Sequence, residues 1–536
     1  MKRKSLGLVL ACVCYTTAYA APALPGSDSE LRAMEQNREQ NVRQTVIEAT
    51  GSVAKVQGED QFTLQRVTFT GQEIIDTAIF AELIQTYIGQ TVTLSDLQNA
   101  ADKITAYCRQ QGYAVAAAFL PPQDVKDGNV EIRVLLGQLG QIKLDNQSRL
   151  SEGRAEAFTS ALRRGTYLTI NKAETVLNNL NDLPGVAAVG MLSAGQETGE
   201  TDLTVTLQNE DALETLLYAD NYGGRYSGRY RYGFQTTFNN LGHIGDRAFL
   251  GGLLTNDHTH NYNLGYEMPL GSRGSRLGIS YSQMDYTLGD YFNLLEAVGT
   301  ARTFSFYGST PLVNSSGSYV AASYGYDHRQ LKDEYRLFGY SNAKTSNAMH
   351  VGILGRSVGR NSYTGYSALY YWGVLTNDDY AGANEGGFQK LNTDINHIQR
   401  LGQQFNLHLN FHSQLASKEL DSSEQFYLGG ANGVRAYPQG EAGGDSGYQA
   451  TAELRFITPL PQLTLAAFVD WGEIMQRGNV ADQHRDLAGW GLGLQYSQPG
   501  NYYMRLDYAR KINGEAYQSE AEDKNSRLWF QAVKMF

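Results

Sequence analysis

The sequence predicts a mainly β protein, a sixteen-stranded antiparallel transmembrane β-barrel preceded by two small α+β domains. Three observations carry this expectation. Residues from about Leu213 to Phe536 alternate strictly between apolar and polar. The chain holds 35 Tyr and 57 Gly, yet its mean hydropathy is only −0.39. Two segments ahead of the alternating region repeat each other.

The alternation is clearest near the end. Tyr448, Ala450, Ala452, Leu454 and Phe456 fall on one face, with Gln449, Thr451, Glu453 and Arg455 on the other. Leu463, Leu465, Ala467, Val469 and Trp471 alternate with Thr464, Ala466, Phe468 and Asp470, and Tyr502, Met504, Leu506 and Tyr508 with Tyr503, Arg505, Asp507 and Ala509. Half of each strand of a membrane barrel faces lipid and half faces a polar lumen, so average hydropathy hides the apolar face. Segments of this kind begin near residues 213, 228, 245, 259, 274, 299, 316, 345, 362, 387, 404, 447, 463, 487, 501 and 525. An even number returns the chain to the side it started from. In the last segment Leu528, Phe530, Ala532 and Phe536 share a face, as a closing strand against lipid requires. Closure matters because an open edge in lipid leaves backbone groups unpaired at a cost of several kcal/mol each. A soluble β-sandwich would also alternate, but has no need of Tyr and Trp at strand ends. Beyond the N-terminal segment no run of 18 apolar residues exists, so no membrane-spanning helix is expected.

The N-terminus reads as a secretory signal over residues 1–20. Lys2, Arg3 and Lys4 precede an apolar run from Leu6 to Val13, and Ala18-Tyr19-Ala20 is a small-x-small cleavage site. A lipoprotein signal at Val9-Leu10-Ala11-Cys12 is the rival, but it leaves a very short apolar core. Cys12 and Cys14 leave with the signal, so Cys108 has no cysteine partner and reads as a lone buried thiol. In residues 21–50, the stretch Ser29 to Glu48 is rich in helix formers, with sparse apolar positions at Leu31, Met34, Val42, Val46 and Ile47. A helix polar nearly all round suits water or a wet lumen better than an apolar core. Residues 51–61 look like a linker.

Residues 62–138 and 139–209 form the repeat. Gly89-Gln-Thr-Val-Thr-Leu-Ser-Asp-Leu97 aligns with Gly165-Thr-Tyr-Leu-Thr-Ile-Asn-Lys-Ala173, 76 residues on. In the first copy Thr93 and Asp96 fit a capping box. Leu97, Ala101, Ile104 and Cys108 follow at helical spacing, and Gly112 is a stop. In the second, Ala173, Val176, Leu177 and Leu180 make the stripe, which Pro184-Gly185 ends. Flanking strands are expected at Arg66–Thr70, Val130–Leu136, Gly140–Leu144 and Thr201–Leu207. Each copy is long enough for a β-α-α-β-β unit, and repetition at this period indicates modules in series.

Two such modules before a sixteen-strand barrel resemble the TpsB transporters of two-partner (type V) secretion, within the BamA-like superfamily of barrels with POTRA domains. The resemblance covers nearly the whole chain after the signal. Its most specific piece is the loop Gln425 to Gly447, with Gly433-Val434-Arg435-Ala436-Tyr437-Pro438 and then Gly444-Asp445-Ser446-Gly447. The family pattern is Val-Arg-Gly-aromatic, and Ala436 departs from it. The second piece is Phe468-Val469-Asp470-Trp471-Gly472, similar to Phe-x-Asp-x-Gly of the thirteenth strand. The resemblance implies that the loop folds into the lumen and that Arg435 pairs with Asp470. Val434, Tyr437, Gly444, Asp445 and Gly447 are its loop motif, and Phe468 and Gly472 its strand motif. A guanidinium fork suits a carboxylate bidentately. On the residues alone, an exposed Gly-rich loop with an incidental Arg is the alternative. The resemblance further implies that residues 21–50 are a plug helix. It implies that the modules are POTRA domains receiving an unfolded TpsA-type exoprotein in the periplasm, and that the barrel is an outer-membrane monomer. Partners of this family include haemolysins, adhesins, contact-dependent inhibition toxins and haem-scavenging proteins.

Other classes fit less well. The net charge of −11 argues against a nucleic-acid partner. Gly444-Asp-Ser-Gly447 looks like the nucleophile region of trypsin-like proteases, but nothing upstream resembles the required histidine segment. His408 and His412 share a strand face, but four residues along a strand separate them by roughly 13 Å, too far for one ion. No Walker-type phosphate loop is present. No enzyme activity, metal or cofactor is expected. An assembly factor for other barrels would usually carry more POTRA modules, and a passive porin or receptor would leave the repeats and the Arg435/Asp470 motifs without a purpose.

Overall fold

The computed structural model describes residues 61–536 apart from 114, 258, 316, 378–383, 461 and 478–482. The signal sequence, plug helix and nearly all of the linker expected from the sequence lie outside the described residues. The described chain divides into two compact units, one ending at Glu210 and one running from Asp211 to Phe536.

The first unit contains two modules with one topology. In the first, β1 (Phe62–Thr63) pairs with β3 (Thr91–Val92), while β2 (Arg66–Thr70), β4 (Ala117–Phe119) and β5 (Asn129–Leu135) form a sheet in the order β2-β5-β4 against α1 (Thr77–Leu83) and α2 (Leu94–Gln110). In the second, β6 (Gln138–Asn146), β7 (Val186–Ala194) and β8 (Glu200–Asn209) repeat that order as β6-β8-β7, with α3 (Glu152–Thr159) and α4 (Ile170–Asn181). The first strand of each lies parallel to the last, and the middle strand antiparallel to it. The equivalent glycines Gly89 and Gly165 both adopt φ +78°, a left-handed turn that a side chain would strain. The sequence pattern did not locate the short β1 and β3, nor β4, β7, α1 or α3. β4 is only three residues long, β7 carries exposed Val189 and Met191 that break its alternation, and α3 has too little apolar periodicity to stand out.

The Thr93–Asp96 capping box forms reciprocally: the Asp96 amide donates to Thr93 Oγ1 at 3.2 Å, and the Thr93 amide donates to Asp96 Oδ2 at 2.9 Å. The Thr93 amide, and then its hydroxyl, hold the Asp96 carboxyl below its ordinary value. A depressed carboxylate adds stability above its unfolded pKa, and that stability is lost as pH falls through the folded pKa. Independently of that shift, Thr93→Ala removes the hydroxyl that accepts from the Asp96 amide, an N-cap loss expected to cost about 1 kcal/mol. Hydrogen exchange of the α2 amides should speed up in the variant at neutral pH, with a smaller difference below about pH 4; equal protection at neutral pH would contradict this. Behind the cap, α2 buries Leu97, Ala100, Ala101, Ile104 and Cys108. Burial pushes the Cys108 thiol up to about 11, consistent with an inert core thiol.

The second unit is a closed barrel of sixteen strands. They are β9 (Leu213–Asp220), β10 (Arg231–Asn239), β11 (Arg247–Thr255), β12 (His260–Leu270), β13 (Ser275–Thr287), β14 (Ala297–Ser315), β15 (Ser318–Tyr335), β16 (Tyr340–Val358), β17 (Ser362–Asn377), β18 (Gly386–Arg400), β19 (Phe405–Ala416), β22 (Ser446–Ile457), β23 (Leu463–Gln476), β24 (Gln483–Gln498), β25 (Tyr502–Lys511) and β26 (Ser526–Met535). Two short strands, β20 (Phe426–Tyr427) and β21 (Gly443–Gly444), belong to the loop between β19 and β22. β16 starts before the expected residue 345 because its first residues, Tyr340-Ser-Asn-Ala-Lys344, lack the apolar half of the pattern. β26 closes on β9 through the short register Gln531↔Asp220 to Met535↔Leu216. Beyond Asp220 the side chain of Asn221 continues the seam, accepting from the Phe530 amide and donating to the Leu528 carbonyl at 2.8 and 2.9 Å.

The outer face carries Trp490, Leu492, Leu494 and Tyr496 exposed, which is stable only against lipid. Register explains the Tyr and Gly content. Tyr218, Tyr286, Tyr307, Tyr324 and Tyr366 lie directly opposite Gly233, Gly299, Gly278, Gly308 and Gly355 on neighbouring strands. A methyl at any of these glycines would run into the opposing ring. Each ring therefore lies across bare backbone, a pairing that supports curved sheets.

Candidate functional site: a loop held inside the barrel

Alternation on β23 directs Phe468, Asp470 and Gly472 inward, all buried, and leaves Val469 and Trp471 exposed outside. The same rule turns Glu453 and Arg455 of β22, Tyr503, Arg505 and Asp507 of β25, and Trp529 of β26 toward the lumen. Into this wall folds the loop that leaves β19 after Ala416 and returns at Ser446. It begins earlier than the expected Gln425, because the polar stretch 417–424 includes a 3-10 turn, Ser422–Glu424, inside the barrel rather than a continuation of β19.

The loop has structure of its own. β20 and β21 pair, the Val434 amide donates to the Leu428 carbonyl at 2.7 Å, and the Tyr437 amide donates to that of Val434 at 3.0 Å. Phe426, Leu428, Val434, Ala436, Tyr437 and Ala442 pack against Phe468, Ile474, Leu487, Ala509 and Tyr517. The arrangement is not an exposed Gly-rich loop. Its glycines permit close approach: a Cβ at Gly444 would lie 2.8 Å from that of Ile474, one at Gly447 would lie 2.8 Å from the Glu473 carbonyl, and one at Gly472 would lie 2.6 Å from Leu428. The departure at Ala436 is accommodated in the same way. Its methyl faces Gly489 of β24, where a Cβ would stand only 2.6 Å away.

Arg435 reaches the wall through its whole fork. Nε and Nη2 donate to Asp470 at 2.9 and 2.8 Å, and Nη1 donates to Glu453 at 2.8 Å and Asp507 at 3.1 Å. Its amide also donates to Asp470, and its carbonyl accepts from Trp529 Nε1 at 2.7 Å. The guanidinium lies 3.2 Å from the centroid of the Phe468 ring. Arg505 bridges Glu453 and Asp507, and Arg455 donates to Glu453. Three arginines and three carboxylates therefore interlock. Within so dry a region each charge is tolerable only because the others are present.

The remaining motif residues have separate tasks. Tyr437 donates to Asn513 Oδ1 at 2.7 Å and meets Tyr517 edge to face. Asp445 is remote from Arg435; it accepts from the amides of Leu420 and Arg477 at 2.8 and 2.7 Å, tying the two ends of the loop to the start of the next one. Ser446, the serine of the protease-like tetrapeptide, accepts from the Ala416 amide and serves as backbone support. His408 and His412 are both on β19, and His412 meets Asp394 of β18 at 2.7 Å.

Several partners escaped the sequence pattern. Glu453, Arg455, Arg505 and Asp507 are visible as inward positions, but alternation cannot say which of many inward charges meet. Glu441, fully buried, accepts from Arg485 Nη1 at 2.6 Å and from the amides of Gln518 and Ser519 at 2.8 and 3.0 Å, so the 512–525 loop covers the inserted one. Asp421 and Glu424 bind cations on strands on another part of the wall. Nothing in their spacing marks them.

A closed membrane barrel with a charged lumen, its own loop folded inside and α+β modules preceding it defines an outer-membrane transporter with periplasmic domains. Residues 199–496 match the haemolysin secretion/activation protein family ShlB/FhaC/HecB, and residues 62–137 match the ShlB-type POTRA domain. The chain is 29% identical to the heme/hemopexin transporter protein HuxB of Haemophilus influenzae (strain 86-028NP), over 99% of this chain and 98% of that one. It is 22% identical to the outer membrane transporter CdiB of Dickeya dadantii (strain 3937), over 92% of each. The structure of CdiB from Escherichia coli superposes with a TM-score of 0.72 at 18% identity, covering 95% of this chain and 97% of that one, a likeness of fold. The chain belongs to the haemolysin secretion/activation family ShlB/FhaC/HecB: it is an outer-membrane pore of two-partner secretion that exports a partner protein.

Proposed function

We propose that the two modules receive the partner unfolded in the periplasm and pass it to the lumen, and that the Arg435–Asp470 contact locks the loop in place as part of that pathway. The observation that carries the locking role is the burial of Arg435 among Asp470, Glu453 and Asp507, a cost that a loop without a defined position would not meet. The other motif residues support it: Val434 and Tyr437 pack the tip, Gly444, Gly447 and Gly472 let it approach the wall, and Phe468 stacks on the guanidinium. Residues 21–50 supply the plug helix, and the pore acts as a monomer without enzymatic activity or nucleotide. Folding of the partner outside supplies direction by making return unfavourable.

The relative aligned at 29% identity over nearly its whole length is named a heme/hemopexin transporter, against 22% for CdiB, and this supports a partner of the class that transporter exports. Removing residues 62–208 is expected to leave the barrel in the membrane and hold the partner in the periplasm. The check is immunoblotting of partner in medium and periplasm; undiminished export would remove the modules from the receiving role.

A further inference from the structure

The inserted loop has a second ionic anchor on another wall. Glu424 accepts from Arg329 of β15 at 3.0 Å, from Lys390 of β18 at 2.8 Å and from Ser346 of β16 at 3.2 Å. Asp421 accepts from Lys344 of β16 at 2.7 Å. The Glu424 carbonyl accepts from Lys390 and from Gln414 of β19. Around the closed ring the strands that hold the root, β15, β16 and β18, stand two to eight positions from those that hold the tip, β22, β23 and β25, so the root and tip of the loop grip separate arcs of the lumen wall. On the reading that a polypeptide crosses this lumen, loop and partner compete for the same cross-section. One anchor must yield while the other keeps the loop attached.

The two anchors differ in a way that decides which yields. At the tip, a planar fork is matched bidentately, and the side chains of Arg435, Asp470, Glu453 and Asp507 are 6, 0, 4 and 4% exposed. Withdrawing Arg435 would strand three carboxylates in a dry wall with only Arg455 and Arg505 for balance. At the root, two of the three cations are lysines, point charges without a fork. Arg329, Lys344 and Lys390 are 20, 16 and 10% exposed and Asp421 and Glu424 9 and 7%, each more than Arg435 and the three carboxylates it binds, so water replaces the leaving partners more readily at the root. Withdrawing the root would take the loop carboxylates away from three cations of the lumen wall, the kind of lining that favours anions.

We propose that Asp421 and Glu424 are a releasable latch, and that Arg329, Lys344 and Lys390 form its receptor, a carboxylate-binding site on the lumen wall. The loop's own acids fill this site at rest, and acidic peptide segments fill it when the latch is out. The tip stays fixed and acts as the pivot. Asp421 and Glu424 are positioning residues: they act on transport through the loop.

The test uses the full-length protein in planar lipid bilayers and in outer-membrane vesicles, with no partner present, so its failure is separable from failure of export in cells. Two double variants are compared, Asp421→Asn with Glu424→Gln on the loop, and Arg329→Gln with Lys390→Gln on the wall. Each is checked for folding by heat-modifiable electrophoretic migration. A maleimide probe on Ser422→Cys should react about tenfold faster or more in both, since each removes partners of a buried ion pair. The reversal potential in a KCl gradient should move toward chloride only in the loop variant, which bares the cations. Oligoglutamate should block the current of the loop variant and not that of the wall variant, and oligolysine should block neither. Unchanged labelling in folded barrels, or equal selectivity and equal block in the two variants, would overturn the latch.

Discussion

Arg435→Ala is expected to release the loop tip and to lower export of the partner sharply while the barrel still reaches the membrane. The substitution leaves Asp470, Glu453 and Asp507 without their shared cation in a wall where each is 4% exposed or less. Breaking a buried ionic cluster by removing one member costs about 3–5 kcal/mol, most of it from the charges left behind. Arg435→Lys should recover only part of this, because an ammonium cannot satisfy two Asp470 oxygens, Glu453 and Asp507 from one plane. Arg435→Ala combined with Asp470→Asn should be less disturbed than Arg435→Ala alone, since the stranded carboxylate is gone; the size of that recovery is the coupling energy of the pair. The measurements are partner in the medium and protease protection of residues 417–445 in intact outer membranes. Wild-type protection together with wild-type export in Arg435→Ala would end the case for this contact.

The second large effect is expected at Glu441. Its carboxylate is fully buried and receives Arg485 together with the amides of Gln518 and Ser519. Glu441→Ala removes the acceptor of Arg485 Nη1 and of two amides, while Arg485 keeps Glu515 and the Ala516 carbonyl, a loss on the order of 3 kcal/mol. The segment 512–525 should then lift from the inserted loop, and the Gln518 and Ser519 amides should exchange their hydrogens about a hundredfold faster or more. Glu441→Gln keeps an acceptor of the same shape and should fall between the two. Exchange at the wild-type rate in Glu441→Ala would mean that the other contacts of the segment, among them Tyr517 with the Ala436 carbonyl, Tyr437 with Asn513 and Arg485 with Ala516, hold it without Glu441.

These two residues divide what could be read from the chain and what could not. Arg435 and Asp470 carry a motif each, and Asp470 lies on a strand whose facing is set by period two, so its direction into the lumen was legible. Glu441 stands six positions after Arg435 in a Gly-rich segment without a regular period. Its partners come from β24 and from a loop some eighty residues further on, and no local pattern links them. Asp421, Glu424 and the cations of β15, β16 and β18 are the same case. Glu453, Arg455, Arg505 and Asp507 fall between: alternation turns them inward, but the number of strands separating them in sequence hides that they meet.

The sequence by itself determined the barrel, its sixteen strands, the inward set of residues on many of them and the presence of two repeated α+β modules. These follow from local preferences: side chains on a strand must face lipid or water by turns, and a helix repeats its apolar face every three or four residues. The tertiary structure alone decided which inward charges touch, that the loop is pinned at both root and tip, and that Ala436 fits because Gly489 across from it has no side chain. The physical reason is that pairing across a closed wall depends on register and curvature summed over many strands, and a buried charge is stable only beside partners that the chain brings from far away.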